Sequence, residues 1–155
     1  MNAVSLREIT ASSVRTITEL QVSELQQPFV APNAVSLAEA PFHPESWYRA
    51  IYRDDEPVGF VMLYDESQRA PPPANPQLSL WRFMVATTAQ GQGIGSRALQ
   101  LVIDHARRRG FRELLVSCVP GEHSPQRFYE RHGFVPTGKI EDGEVVLRKV
   151  LGESR

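Results

Sequence analysis

Apolar residues recur with a helical period in the second half of the chain, between Gly93 and Arg109. Four of them follow the i, i+3, i+4, i+7 spacing that places side chains on one face of an α-helix. They are Leu99, Val102, Ile103 and Ala106. Arginines crowd the last turn, where they complement the helix dipole, and Gly110 suits the position after the helix. The pattern predicts one long amphipathic helix over residues 93–109.

Shorter segments rich in β-branched and aromatic residues surround this helix and predict strands. The predicted strands cover residues 6–9, 48–53, 58–64, 78–85 and 112–119, followed by a closing hairpin over residues 134–150. An Asp-Gly pair, Asp142-Gly143, marks the turn of that hairpin. Shorter helical patterns occupy residues 13–25, 36–40 and 125–132. The prolines of residues 70–76 predict an exposed loop.

Both kinds of element occur, strands outnumber helices, and a strand–helix–strand unit occupies the middle of the chain. This order predicts the α+β class, or α/β where the central unit dominates. The chain has 155 residues, a usual length for one domain, and it shows no internal repeat. We therefore expect a single domain over residues 1–155.

Charge and cysteine content argue against several classes of function. Lys and Arg number 17 and Asp and Glu number 18, a formal net charge of −1, which argues against a general binder of nucleic acids or membrane surfaces. The single cysteine, Cys118, can form neither an intramolecular disulfide nor a Cys-based metal site, and its apolar neighbours predict a buried thiol. The four histidines lack metal-ligand spacing, so we expect no metal.

The chain also lacks the sequence features of a membrane or secreted protein. No stretch approaches the 18 apolar residues of a membrane span. Residues 1–7 lack a basic segment followed by an apolar run, which is the pattern of a secretory signal. These observations predict a cytoplasmic protein.

The sharpest local feature is the segment Gln90-Gly91-Gln92-Gly93-Ile94-Gly95-Ser96, between a predicted strand and the long helix. Three glycines at alternating positions let the backbone approach a ligand closely, and they free successive N–H groups to point at one anion. The helix that follows adds the positive end of its dipole. The segment therefore suits a phosphate or pyrophosphate group.

Three interpretations of this glycine-rich loop compete. A dinucleotide fingerprint needs a third glycine where this chain has Ser96, and a P-loop needs a lysine that the segment lacks. A glycine-rich turn without any ligand is the remaining alternative.

Two motifs together resemble the GNAT superfamily of N-acetyltransferases. Gln90-x-x-Gly93-x-Gly95 resembles the Arg/Gln-x-x-Gly-x-Gly/Ala signature that grips the pyrophosphate of coenzyme A. Tyr129 lies four residues before the pair Gly133-Phe134, which resembles the second marker of the superfamily, and it follows Gln90 by 39 residues. The resemblance covers nearly the whole chain. It implies a central, mostly antiparallel mixed sheet flanked by helices and splayed between strands 4 and 5, with acetyl-CoA as co-substrate.

The resemblance also implies which residues bind acetyl-CoA. The pyrophosphate would be held by Gln90, Gly91, Gln92, Gly93, Ile94, Gly95 and Ser96. Met84 and Val85 would pair with the pantetheine arm, and one of their N–H groups would donate to the thioester oxygen. Ser124 belongs to a Ser-Pro-x-x-Phe-Tyr variant of the motif, and it is either a cofactor contact or a helix cap.

In this superfamily the substrate amine attacks the thioester directly, without an acyl-enzyme. The resemblance makes Tyr129 the general acid for the departing thiolate, since the ordinary pKa of a phenol, about 10, is not far above that of a thiol. Some members carry a glutamate base where this chain has Ser79. The base is therefore left open, and we expect a water chain that ends on a carboxylate.

At a finer level the chain resembles the bacterial diamine and polyamine N-acetyltransferases, including those for spermine and spermidine. The segments that carry this resemblance are residues 29–40, 50–52, 57–62, 80–84 and 141–146. A linear polycation needs spaced carboxylates and an aromatic wall, and Glu39 and Trp81 are the first candidates. Further candidate acids are Asp54, Asp55, Glu56, Asp65, Glu66, Glu141, Asp142 and Glu144.

The acceptor and the partners are less constrained than the donor. An acetyltransferase for another amine, such as an antibiotic, an amino acid or a protein N-terminus, would share every cofactor motif. A non-catalytic acyl-CoA-binding module is the alternative outside enzymes. We expect a small-molecule amine as partner, no nucleic acid and no membrane, and a homodimer is left open.

Overall fold

A single mixed sheet organises the part of the chain that the structure, a computed structural model, describes, namely residues 3–152. Both ends of the predicted 1–155 unit, and the first two residues considered for a secretory signal, lie outside the described residues. The strand order is β1-β2-β3-β4-β5-β7-β6. The strands are β1 Val4–Arg7, β2 Ser46–Arg53, β3 Glu56–Asp65, β4 Leu78–Val85, β5 Glu113–Cys118, β6 Val135–Glu141 and β7 Glu144–Val150.

Helices cover both faces of this sheet. They are α1 Val14–Glu19, α2 Asn33–Glu39, α3 Ile94–Arg108 and α4 Gln126–Arg131, with short 3-10 turns between elements. The apolar stripe of α3 packs in one core cluster with Val61 and Leu63 of β3. Phe60 and Met62 alternate with them and pack on the other face with Ile17 of α1. This arrangement confirms the predicted α+β class with a mixed, mostly antiparallel sheet.

The sheet opens between β4 and β5. These strands run parallel and pair only through Ser79 with Leu115 and through Leu80 with Val116, whereas the other neighbours run antiparallel. Immediately after Leu80 the register of β4 against β3 shifts, so that Trp81 is an extra residue. Such a bulge bends its strand and increases the local twist. The predicted splay between strands 4 and 5 is therefore present, and it begins at the bulge.

The first helix is shorter than the periodicity predicts. It ends at Glu19, because Leu20 takes extended backbone angles of φ −66° and ψ 132°. Leu20 and Val22 still pack on the core, but from extended chain, which imitates a helical period in the sequence. Leu25 is 61% exposed and belongs to no apolar stripe. The prediction of a helix over residues 13–25 is thus wrong after Glu19.

Other boundaries differ by smaller amounts. Strand β1 begins and ends two residues earlier than predicted, while Ile9 packs against the core outside the strand. Helix α2 begins at Asn33, directly after Pro32, and not at residue 36. The Asn33 side chain is 2% exposed and donates to the backbone oxygen of Ile17 at 2.9 Å, which ties α2 to α1. Within residues 3–152 no helix is both long enough and apolar enough to cross a membrane.

Candidate functional site

A cavity of about 540 Å³ lies where β4 ends and where α3 and α4 begin, and we name it the cofactor cavity. It collects nearly all of the residues that the sequence assigned to acetyl-CoA. Those that line it are Met84, Val85, Gln90, Gly91, Gly93, Ile94, Gly95, Ser96, Ser124 and Tyr129. Gln92 does not line the cavity, because its side-chain oxygen accepts a hydrogen bond from Arg53 at 2.5 Å.

The three glycines of the loop differ in their backbone conformation and in what surrounds them. Gly91 and Gly93 have φ angles of 78° and 76°, in the left-handed region that favours glycine. A Cβ at either position would meet no atom within 4 Å, so backbone conformation, and not crowding within the protein, selects glycine there. A Cβ at Gly95 would lie 3.5 Å from the Phe128 ring. This is an ordinary van der Waals distance, so the packing of α4 against the start of α3 leaves room for a small side chain at the third glycine.

The first turn of α3 directs its positive end into this cavity. The helix begins at Ile94, after Gly93 as N-cap, and both residues line the cavity. The first N–H groups of a helix have no partner within it, so they are available to an anion. Their alignment with the helix dipole gives this end a partial positive charge. The geometry can hold a phosphate or pyrophosphate without any lysine.

The side chain of Gln90 fixes the loop against the end of β4. Its Nε2 donates to the backbone oxygen of Val85 at 2.8 Å and to the Oε1 of Gln26 at 2.9 Å. The Gln26 amide donates back to Gln90 at 3.3 Å. The glutamine of the motif thus positions the backbone that follows it.

Beyond Leu80, β4 has no strand partner on its β5 side within residues 3–152. The backbone groups along this edge have no strand to pair with, and the Val85 oxygen accepts from the Gln90 side chain instead. Met84 and Val85 lie on this stretch and line the cofactor cavity. An extended amide chain, such as a pantetheine arm, could therefore add to β4 as a strand does.

Tyr129 lies at the junction of two cavities. It is 4% exposed, and the rings of Phe128 and Phe134 meet it edge to face at centroid distances of 5.4 and 5.5 Å. Burial raises the pKa of its phenol far above the ordinary value, so the hydroxyl keeps its proton at every physiological pH. No described protein group accepts or donates a hydrogen bond at this hydroxyl. It is therefore available as a donor to a ligand.

A histidine that sequence reasoning left without a role connects the two helices of the cofactor cavity. The Nδ1 of His132 lies 2.8 Å from the backbone oxygen of Phe128, and its Nε2 lies 2.9 Å from the Oγ of Ser96. Because a carbonyl oxygen can only accept, Nδ1 carries the proton in the neutral ring, and Nε2 accepts from the Ser96 hydroxyl. The bridge positions Ser96 relative to α4. No spacing rule in the sequence announces it.

Ser124 has both of the properties that the sequence left as alternatives. Its Oγ accepts from the backbone N–H of Gln126, the first residue of α4, at 3.3 Å, and it also lines the cofactor cavity. Pro125 is the N-cap residue of that helix. Helix capping and ligand contact are therefore compatible at this position.

A second cavity, also of about 540 Å³, adjoins the first, and we name it the acceptor cavity. The two share Phe29, Val30, Phe83, Pro125 and Tyr129. Trp81, the bulge residue of β4, forms part of its wall. Its role as the aromatic wall of an amine site stays a prediction.

Glu39 does not line the acceptor cavity, although the sequence assigned it to the substrate. Its carboxylate pairs with Arg82 at 3.5 Å, and the Arg82 guanidinium lies 4.7 Å from the centre of the Trp81 ring. The two predicted substrate residues are thus connected through an arginine that sequence reasoning missed. Only the β-bulge, which the sequence does not reveal, turns Trp81 and Arg82 toward one cavity.

Cys118 belongs to neither cavity and is 2% exposed. Burial, followed by the nearby carboxylates of Glu144 and Glu130, raises the pKa of its thiol to about 12. A thiol with this pKa is not a nucleophile at neutral pH. Among the described residues, no group of three or more His, Cys, Asp or Glu side chains could hold a metal ion.

Comparison with known proteins agrees with this geometry. The family described as the acetyltransferase (GNAT) family matches residues 14–134 of this chain. A relative from Bacillus subtilis (strain 168), named spermine/spermidine N(1)-acetyltransferase, is 27% identical over 158 residues, which cover 96% of this chain and 99% of the relative.

Two solved structures share the fold. The PaiA N-acetyltransferase from Thermoplasma acidophilum, in complex with coenzyme A, has a TM-score of 0.69 at 13% identity over 96% of this chain and 99% of its own. A GNAT family acetyltransferase from Elizabethkingia anophelis, with acetyl-CoA bound, has a TM-score of 0.63 at 18% identity over 95% of this chain and 97% of its own. The glycine loop at a helix start, the splayed sheet and the family match over residues 14–134 lead to one conclusion: this chain belongs to the acetyltransferase (GNAT) family.

Proposed function

We propose that this protein transfers the acetyl group of acetyl-CoA directly to a primary amine of a small molecule, and that the acceptor is a diamine or polyamine. The observation that carries the proposal is the position of Tyr129. Tyr129 lines both the cofactor cavity and the acceptor cavity, and its hydroxyl is protonated. A donor at this junction can serve the leaving group while the acceptor enters from the other side.

The cofactor cavity supports acetyl-CoA as the acetyl donor. The N–H groups at the start of α3 suit a pyrophosphate, and the open edge of β4 suits the pantetheine arm. Coenzyme A and acetyl-CoA are the ligands in the two solved structures described above. The residues that line this cavity carry no carboxylate, so no acidic side chain opposes an anionic ligand.

The transfer step uses residues on both sides of the β4 edge. The amine lone pair forms the new C–N bond at the thioester carbon, and the C–S bond breaks with its electron pair on sulfur. A backbone N–H of Met84 or Val85 stabilises the carbonyl oxygen during attack, a contribution of about 2.7–4 kcal/mol for one preorganised donor. Tyr129 donates its proton to the sulfur and regains one from solvent. The amine proton leaves through water to solvent.

Burial of Tyr129 has two opposite consequences for this role. A raised pKa keeps the phenol protonated, as a general acid requires, but it also weakens full proton transfer to a solvated thiolate. The departing sulfur, however, lies in the same desolvated place, and burial raises the pKa of a thiol in the same direction. The two shifts act in opposite senses on the proton transfer, so the raised pKa of Tyr129 does not by itself exclude the phenol as the donor.

The acceptor class is supported by the relative from Bacillus subtilis, whose name assigns it spermine and spermidine. Glu144 supplies a carboxylate in the acceptor cavity, and a carboxylate attracts an alkylammonium group.

A thiol-release assay tests the proposal. Acetyl-CoA is supplied with spermidine, 1,4-diaminobutane, an aminoglycoside, a short peptide and butylamine. We expect kcat/KM to be highest for the diamine or polyamine, since a second ammonium adds binding that a monoamine lacks. If the coenzyme A thiol is released only with the peptide or only with the aminoglycoside, the proposed acceptor class is wrong and that amine takes its place. Tight coenzyme A binding without release for any amine would indicate a non-catalytic acyl-CoA-binding protein.

A further inference from the structure

Two side chains supply all of the formal charge on the wall of the acceptor cavity. They are Arg82 of β4 and Glu144, the first residue of β7. The rest of the wall is apolar or neutral, including Trp81, Ser117 and Tyr129. The charge of the cavity wall therefore depends on these two residues and on the groups that pair with them.

Arg82 already has a fixed arrangement. Its Nη2 pairs with Glu39, its guanidinium lies over Trp81, and its side chain is only 17% exposed. The Glu39 carboxylate and the Trp81 face are thus occupied by a cation that belongs to the protein. An ammonium group of an acceptor would have to displace a largely desolvated arginine to use them. The site that the sequence offered to a polycation is closed.

Glu144 is in the opposite situation. It is half-buried, and within residues 3–152 no hydrogen bond or ion pair engages its carboxylate. Its neighbour Val145 pairs with Cys118, so Glu144 lies at the end of β5, beside the opening of the sheet. Glu144 is therefore the uncompensated anion of the acceptor cavity.

The other candidate acids lie elsewhere or have partners. Asp65 pairs with Arg109 and Glu66 with Arg69, each at 3.2 Å. The remaining pairs are Asp55 with Arg7 and Glu56 with Arg53, while Asp54 accepts from the backbone of Ala3. Glu141 and Asp142 are exposed on the hairpin turn, and Glu141 lines a separate groove. None of them lines the acceptor cavity.

We propose that Glu144 and Arg82 form a charge filter: Glu144 binds one ammonium group of the acceptor besides the reacting amine, and Arg82 prevents the cavity from favouring a second. This inference rests on the proposed function and deepens it. An uncompensated carboxylate attracts one cation, whereas Arg82 occupies the Glu39 carboxylate that could attract another. The filter selects acceptors by their number of charges, since a diamine gains over a monoamine and a triamine gains no further.

The test compares kcat/KM at saturating acetyl-CoA and low ionic strength for butylamine, 1,4-diaminobutane and spermidine, each divided by its number of primary amines. For the wild-type protein we expect the diamine to exceed butylamine about 10-fold, as for one half-buried ion pair. Spermidine should lie within about threefold of the diamine, since a third charge finds no free carboxylate.

Two substitutions assign these differences to their residues. Glu144→Gln keeps shape but not charge, so it should remove the preference for the diamine over butylamine, mainly through KM. Glu141→Gln on the same hairpin is the matched control and should keep that preference. Arg82→Gln removes the guanidinium and exposes Glu39, so spermidine should gain about 10-fold over the diamine. Coenzyme A affinity and Tm, measured for each variant, identify any general damage to the fold.

Each outcome supports or overturns the filter. If the wild-type enzyme acetylates amines and the Glu144→Gln variant still prefers the diamine over butylamine, the filter is overturned and the proposed function stands. A further tenfold gain for wild-type spermidine over the diamine overturns the role of Arg82. If the wild-type protein acetylates none of the three amines, the proposed acceptor class fails, and the filter fails with it.

Discussion

The two cavities of this protein have similar volumes and share Tyr129, yet they are built in different ways. The anion-binding part of the cofactor cavity comes from one continuous loop, residues 90–96 apart from Gln92, at the start of a single helix. The acceptor cavity draws its side chains from residues 27–32, β4, the end of β5, α4 and the start of β7. A pyrophosphate can thus be recognised by a local segment, whereas an amine is recognised by residues that only tertiary packing brings together.

We expect the largest effect from a substitution of Tyr129, because this residue lines both cavities. Tyr129→Phe removes only the hydroxyl, so coenzyme A binding should persist while kcat falls about 10²–10⁴-fold, the usual contribution of a positioned proton donor. Steady-state kinetics and calorimetric titration measure the two quantities. Tyr52→Phe, outside both cavities, is the control and should retain full activity. A loss below about threefold would leave Tyr129 with a packing role alone.

A smaller effect should appear when only the cofactor cavity is altered. Gly93→Ala adds one methyl group where the loop approaches the pyrophosphate, and we expect acetyl-CoA affinity to fall about 10-fold or more. Left-handed backbone costs a non-glycine residue about 1–2 kcal/mol, so stability should fall as well.

Gly110→Ala is the matched control for this substitution. Gly110 follows the other end of α3, has a φ of 86°, and would also place its Cβ in open space. It should lose similar stability in urea unfolding but keep its affinity for acetyl-CoA. If the two variants bind acetyl-CoA with equal affinity, this loop does not bind the pyrophosphate.

The smallest effect concerns a residue outside both cavities, His105, which stacks on Trp47 with a centroid distance of 4.1 Å. Burial, followed by repulsion from Arg108, Arg109 and Arg49, lowers the pKa of His105. A lowered folded-state pKa means that its contribution is present above the unfolded value of about 6.5 and is lost as the pH falls below it.

We therefore expect the urea midpoint to fall between pH 7.5 and pH 5.5, and to fall less in His105→Phe, which keeps an aromatic ring but cannot be protonated. Acetyl-CoA affinity at pH 7.5 should be the same in both proteins, since His105 lines neither cavity. An identical pH dependence in wild type and variant would show that other groups control the response.

Much of the cofactor side could be predicted from the sequence because its determinants are local. Glycine spacing reports backbone conformation directly, and the helix that follows is marked by its own periodicity, so residues 90–96 and α3 were located within one or two positions. The exception is Gln92, whose side chain turns to Arg53 of another strand. A partner 39 residues away leaves no mark on a local pattern.

For the acceptor cavity, the sequence predicted only which types of residue an amine site needs. An aromatic wall and carboxylates were expected, but nothing local distinguishes Glu39, which pairs with Arg82, from Glu144, whose carboxylate has no hydrogen bond or ion pair within residues 3–152. The same limit explains the helix predicted over residues 13–25, where Leu20 and Val22 reach the core from extended chain. Burial alone cannot tell which backbone delivers a side chain.

The sequence by itself determined the family, the order of the elements and the anion-binding loop, because each depends on spacing within a short segment. Only the tertiary structure decided where β4 parts from β5, that a bulge at Trp81 aims Arg82 at the acceptor cavity, and which carboxylate remains uncompensated. The physical reason is that charge compensation is a property of pairs. Arg82 and Glu39 lie 43 residues apart in the chain and 3.5 Å apart in the fold, whereas no hydrogen bond or ion pair engages the Glu144 carboxylate within residues 3–152.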